Sequence, residues 1–357
     1  MKTAIIGLPM TGKTSLFTIL TGHAQETRIG SHAVHTGIAK VPDARVDELA
    51  KLYEPPKITY ATVEYVDMPA ISKESLRDPS YLASLRVVDA FAQVLRLFED
   101  ETIPHERGSI DPVRDLEDVE TELILSDLVV VEKRLERLDK DRKKIKSPDL
   151  DKEFELLQKA KALLEENRPL RDLVLEGEDE KRVRGFQFLS QKPMLYVLNL
   201  GESEASRLHD REREFREGPL EGRAHTAVTA VCGKIEAELA ELPREEQQDY
   251  LASYGLSDSA LERMISATYE LLGLMSFLTA GETEVRAWTI PMHSTAVKAA
   301  GAIHSDFEKK FIRAEVVNWK SLVEHKGYPG LREKGLLRLE GKEYIVKDGD
   351  VLVIRHG

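Results

Sequence analysis

Residues 7–15 read Gly7-Leu8-Pro9-Met10-Thr11-Gly12-Lys13-Thr14-Ser15, after the apolar run Thr3-Ala4-Ile5-Ile6 and before Leu16, Phe17, Ile19 and Leu20 at helical spacing. A G-x-x-x-x-G-K-T pattern at a strand-to-helix junction is the context a phosphate-binding loop requires. Glycine at both ends lets the backbone turn its N–H groups inward into an anion-binding concavity, and the helix that follows adds its positive end. Across Gly7, Pro9, Met10, Thr11, Gly12, Lys13, Thr14 and Ser15, the loop defines the candidate nucleotide contacts. The Lys13 ammonium suits the β- and γ-phosphates and is the candidate catalytic group, while the Thr14 hydroxyl suits Mg²⁺. The ligand class is a nucleoside triphosphate, and the fold class is α/β.

At 357 residues, two or three domains are expected. No apolar run approaches the roughly 18 residues of a membrane-spanning helix. The first strand starts at once, leaving no room for a signal peptide, and the single cysteine, Cys232, offers neither a disulfide framework nor a zinc cluster. A cytoplasmic location is expected. The net charge of −12 argues against a general nucleic-acid coat. From Glu284 onward, however, 13 Lys/Arg face 10 Asp/Glu, a mildly basic stretch able to touch RNA locally.

Further along, residues 22–45 hold Gly22, Gly30, Gly37, Pro42 and the histidines His23, His32 and His35 without a period. In a nucleotide switch this is the place of the first mobile loop; the histidine spacing fits no common metal pattern. Ala61–Asp67 alternates as a strand and delivers Asp67 to a sheet edge, where it would hold the magnesium hydration shell. The tetrad Asp67-Met68-Pro69-Ala70 departs from the D-x-x-G of a G-protein, and Pro69 removes a backbone donor.

Leu82, Leu85 and Val88 fit a helix, and Ala90–Phe98 reads as a buried strand. Asp111-Pro112 announces a long helix whose Ile124, Leu128, Val131, Leu135 and Leu138 repeat at the spacing of a two-helix seam. Ser147-Pro148 breaks it, and Leu157, Ala160 and Leu164 return the seam, which predicts an inserted antiparallel helical arm. Pro193–Asn199 resumes the sheet. Asn199-Leu200-Gly201-Glu202 then stands where a GTPase reads guanine with N-K-x-D, and displacing its acceptor onto Glu202 should relax guanine preference. Thr226–Lys234 gives one more strand and loop, with Cys232, Gly233 and Lys234 where G-proteins line the base. Residues 245–273 read as helical. The C-terminal part reads as a small β-grasp-like module, with strands at 285–290, 344–346 and 351–354 and a helix at 295–301.

Taken together, these residues resemble the YchF family of Obg-like P-loop NTPases. The resemblance rests on Gly7–Phe17, Val113–Glu117, Lys192–Val197, Phe277–Gly281 with Val285–Ile290, Ala299–Phe307 and Gly335–Asp350. It implies a P-loop G domain over 1–112 and 186–280, a coiled-coil arm over 113–185 and a C-terminal TGS domain over 281–357. It also implies ATP bound and hydrolysed at least as well as GTP, and association with the ribosome or RNA through arm and TGS domain. In the family's pattern Asn199 and Glu202 form the altered specificity element, and Leu200 meets the base through its backbone. The aligned first switch is His32-Ala33-Val34-His35, with Ser31 the nearest hydroxyl for Mg²⁺. The second, from Asp67 to Asp78, lacks glycine, and Ile71 keeps a hydrophobic residue where no Gln orients water. The chain thus reads as a divergent paralogue: a slow Mg²⁺-dependent NTPase regulating a ribosomal interaction. The alternative is a nucleotide sensor that no longer hydrolyses. A small-molecule kinase shares the loop but would need a lid arginine cluster that is not evident.

Overall fold

The computed structural model describes residues 1–22, 34–105 and 107–357. Ser31, His23 and His32 therefore lie outside the described residues. The strands are β1 (Lys2–Ile6), β2 (His35–Lys40), β3 (Ile58–Thr59), β4 (Thr62–Asp67), β5 (Ala90–Arg96), β6 (Met194–Asn199), β7 (Thr226–Val231), β8 (Leu274–Ala280), β9 (Val285–Pro291), β10 (Phe311–Asn318), β11 (Arg338–Glu340) and β12 (Asp350–His356). The helices that matter below are α1 (Lys13–Thr21), α2 (Ala44–Tyr53), α3 (Pro79–Arg86), α4 (Pro112–Lys144), α5 (Pro148–Glu165), α6 (Glu178–Arg184), α7 (Leu208–Glu217), α8 (Gly233–Glu241), α9 (Arg244–Ser253), α10 (Ala260–Leu271) and α11 (Ala296–Ile303). The chain divides into two units, residues 1–38 with 64–271 and residues 39–63 with 272–357.

The first unit is built on a sheet of order β2-β4-β1-β5-β6-β7, in which β4, β1, β5, β6 and β7 pair in parallel. β5 and β6 are buried along their whole length, as strands covered on both faces must be, and their apolar runs reflect it. All these strands aim their C-terminal ends at one edge, which carries the loops after Ile6, Asp67, Arg96, Asn199 and Val231.

The arm follows the seam. Asp111 caps α4 by accepting from the Arg114 N–H at 3.0 Å with Pro112 in the first turn, worth about 1 kcal/mol. Ile124, Val131 and Leu138 meet Leu157, Ala160 and Leu164 of α5, with Leu128 and Leu135 partly buried beside them. Polar groups tie the arm's root to the sheet. The buried Asp127 carboxylate accepts from the N–H groups of Leu189 and Ser190 and from the Ser190 hydroxyl at 2.7–2.9 Å. Arg171 donates to Glu120, which also accepts from the Tyr196 hydroxyl at 3.0 Å.

The second unit holds a sheet of order β11-β10-β12-β8-β9-β3. Here β8 pairs antiparallel with β9 over Leu274–Ala280, so the boundary expected between residues 280 and 281 would cut a hairpin; the unit begins at Leu272. It also takes residues 39–63 out of the expected G-domain stretch 1–112. β3 pairs with β9 through Ile58 and Thr59, α2 packs on β8 and β9, and Arg45 bonds Asp348 at 2.7 Å.

Three other expectations are corrected. Residues 245–273 are two helices, α9 and α10, because Gly255 turns with φ of +74° and Glu236 caps the second by accepting from the Ala260 N–H at 2.8 Å. Residues 344–346 form no strand; Ile345 makes one isolated bridge to Thr295, while β10 supplies the antiparallel partner of β12. Val88 lies beyond the end of α3.

Candidate nucleotide site

The loop between β1 and α1 has the backbone its glycines suggested. Gly7, Met10 and Gly12 all carry positive φ, of +144°, +58° and +95°. A Cβ on Gly7 would stand 2.7 Å from the Val94 carbonyl oxygen, and one on Gly12 would stand 2.5 Å from Asn199 Nδ2. Glycine is thus demanded by close approach as well as by conformation. Gly12 caps α1, so the first-turn N–H groups face the loop. Pro9, Met10 and Ser15 lie at the surface, and Thr11 is buried with its hydroxyl donating to the Leu8 carbonyl at 3.2 Å. Lys13 is buried too, its Nζ donating to the same carbonyl at 2.6 Å.

Asp67, at the end of β4, comes to Thr14. The Thr14 hydroxyl donates to Asp67 Oδ2 at 2.8 Å, while Oδ1 is buried with no hydrogen-bond partner. Burial pushes the carboxyl above its ordinary range, against the Thr14 bond and the nearby charges of Lys13 and His35. An orphaned carboxylate oxygen next to a threonine hydroxyl fits a hard divalent cation, whose ligands are oxygens. Among the described residues no group of three or more His, Cys, Asp or Glu is placed to hold a metal ion.

The segment after Asp67 is tied down. The Ile71 N–H donates to the Gly7 carbonyl at 3.1 Å, and the Tyr81 hydroxyl donates to the Pro69 carbonyl at 2.8 Å. With Ile71 buried, no side chain at that position reaches for water.

Asn199, at the end of β6, does more than its place in a base-reading motif suggested. Its Nδ2 donates to the Thr11 carbonyl at 3.0 Å, and its Oδ1 accepts from the Gly233 N–H at 3.1 Å. One amide therefore joins the phosphate loop to the β7–α8 loop. The Leu200 side chain is buried and its N–H donates to the Val231 carbonyl at 2.8 Å. Glu202 accepts from the Lys234 ammonium, and Cys232 is buried with its thiol pushed up by desolvation. The structure thus brings Gly7–Ser15, Asp67, Asn199–Glu202 and Cys232–Lys234 to one edge.

Sequence reasoning missed a neighbouring polar group at the end of β5. The buried Arg96 guanidinium donates to the carbonyls of Phe98, Asp100, Ile103 and Pro104 and so fixes the loop that leaves the strand. Within that loop, His105 Nε2 lies 3.0 Å from Asp115 Oδ2, and Arg114 bonds the other Asp115 oxygen. A lone arginine ending an apolar strand was the available signal.

The chain is 40% identical over 362 residues to the ribosome-binding ATPase YchF of Bacillus subtilis, covering 99% of each chain. With the protein of the same name from Haemophilus ducreyi it shares 41% over 365 residues, 99% of this chain and 98% of that one. The solved structure of the Schizosaccharomyces pombe YchF GTPase superposes with a TM-score of 0.83 at 28% identity, covering 99% of this chain and 97% of that one. A family model for the YchF GTPase C-terminal region, described as a protein of unknown function (DUF933), matches residues 274–357, which begin with β8. This chain belongs to the YchF family.

Proposed function

We propose that the chain binds ATP, and GTP less well, together with Mg²⁺ at the Gly7–Ser15 loop, hydrolyses it slowly, and couples nucleotide state to association with the ribosome. The observation that carries the reading is the Thr14–Asp67 pair with its orphaned Oδ1, set against a loop whose glycines cannot be replaced without collision. The relatives are named for ribosome binding and ATPase activity, which supports the partner and the nucleotide.

Thr14 and Asp67 would hold the magnesium, which when bound neutralises phosphate charge. The chain's own groups do the rest. Lys13 exchanges its bond to the Leu8 carbonyl for phosphate oxygens and stabilises charge on the transferred group, a contribution typically worth about 3–4 kcal/mol at the barrier. The loop N–H groups hold the phosphates, and Asn199 keeps the base-side loop in register with them. Turnover is slow because buried Ile71 offers no polar group to orient water.

The test is binding and hydrolysis of ATP and GTP side by side, with and without ribosomes, in the parent and in Lys13→Ala. Equal phosphate release from both proteins would sink the enzymatic reading. The arm over α4 and α5 and the second unit, mildly basic from Glu284, are the surfaces assigned to the ribosome.

A further inference from the structure

We infer that Lys234 sets nucleotide preference by engaging Glu202, so that the carboxylate cannot read guanine with both oxygens. The inference rests on the proposed nucleotide site and deepens it.

The phosphate loop follows β1, and in the sheet order β5, β6 and β7 lie successively outward from β1 on one side. A nucleoside attached to phosphates over the N-terminus of α1, and extending along that side of the edge, meets the loops after β6 and β7. Asn199 couples these loops to the phosphate loop by bonding both Thr11 and Gly233. Glu202 lies three residues after Asn199 and Lys234 directly follows Gly233, and their side chains join. Burial leaves about a third of Glu202 and two thirds of Lys234 accessible, with side-chain exposures of 36% and 65%. A ligand edge arriving there meets the pair. Glu202 also lies close enough to Cys232 to raise its thiol further, consistent with a carboxylate turned toward the β7–α8 loop.

The chemistry follows from what the two purines offer. Guanine presents a ring N–H and an exocyclic amine, two neighbouring donors that a free carboxylate takes with its two oxygens. Adenine lacks that pair and offers one donor group, its exocyclic amine, so a single free carboxylate oxygen is enough for it. With the Lys234 ammonium on Oε2, Glu202 has one oxygen left and a cation beside it, which faces guanine's donors with a donor of its own. Mismatched polar groups of this kind are what discriminate between ligands. Lys234 also has Glu238 and Tyr254 near it, but Glu202 is the group it bonds.

The test is calorimetric titration of the full chain with Mg·ATP and Mg·GTP. Four variants are compared with the parent: Lys234→Gln, Lys234→Arg, Glu202→Gln, and Glu202→Gln carrying Lys234→Gln. Freeing Glu202 in Lys234→Gln is expected to raise the GTP:ATP affinity ratio about fivefold, the scale of one accessible ion pair. Lys234→Arg keeps the cation and the parental ratio. In the Glu202→Gln background the Lys234 change should do nothing. A ratio within twofold of the parent in Lys234→Gln, or the same rise without Glu202, overturns the inference. So does loss of ATP together with GTP, which would make Lys234 a general contact. A parent that binds neither nucleotide instead removes the nucleotide reading beneath it.

Discussion

The Asn199 side-chain amide donates to the Thr11 carbonyl at 3.0 Å across 188 positions of sequence, and its oxygen takes the Gly233 N–H. Asn199 and Thr11 are buried, so the Thr11 carbonyl has no water to fall back on, whereas Gly233 is partly exposed. Asn199→Ala is expected to cost about 2 kcal/mol of stability and to weaken ATP binding at least tenfold, because the buried Thr11 carbonyl and the partly exposed Gly233 N–H both lose their partner. Chemical denaturation and nucleotide titration check both figures. Asn199→Asp keeps the acceptor but faces Thr11 with a second oxygen, and should recover stability only in part.

Gly12→Ala places a methyl 2.5 Å from Asn199 Nδ2 at a φ of +95°. Strain and collision act together, so nucleotide binding is expected to vanish while the rest of the first unit still folds. Retained cooperative unfolding with no heat of ATP binding is the expected pair of readings. Binding within tenfold of the parent would show that the loop can move aside.

Burial holds the Asp67 carboxyl above the usual aspartate range, so its charged form is disfavoured in the native state. Native protein then binds this proton more tightly than unfolded chain, and the group's contribution to stability falls as pH rises through that window. Asp67→Asn is expected to leave the melting temperature of the nucleotide-free protein unchanged or slightly higher at neutral pH. The same substitution should remove the upward shift that Mg·ATP produces in the parent. Thermal scans with and without Mg·ATP decide it.

At the arm's root, burial pushes Asp127 to about 6 although it accepts three hydrogen bonds. An unfolded aspartate titrates near 3.9. Stability contributed by this group should therefore decline between about pH 4 and 6 and stay level above. Asp127→Asn turns an N–H₂ toward the donors of Leu189 and Ser190 and is expected to cost about 3 kcal/mol. It should also flatten that pH dependence in urea titrations.

The parts that were legible before the structure are those whose signals are local. Gly7–Ser15 carries its motif, strand and helix within one short stretch, and the arm carries its seam in residues 3 and 4 apart along α4. Asp67 was found because its strand ends where the alternation ends. The Asn199–Thr11 and Lys234–Glu202 bonds were beyond reach, since nothing in one segment reports the side chains another will bring. The same reason hid α2, whose Asp43 cap and buried Val46 and Leu49 mark a helix without saying which sheet it serves. β10 was overlooked because Phe311–Asn318 alternates imperfectly, with exposed residues at both 312 and 313.

The loan of residues 39–63 to the second unit has a consequence for synthesis. Those residues leave the ribosome early, yet β9, their strand partner, lies more than 200 positions downstream at Val285–Pro291. Throughout that interval α2 and β3 are held between β2 and β4, already made but with their own sheet not yet in existence. A C-terminal fragment cut at Leu272 would lack the edge strand β3 and the helix that covers β8 and β9. The second unit is thus completed only when residues 39–63 meet residues 272–357, and the strand that delivers Asp67 starts at Thr62, inside the borrowed stretch.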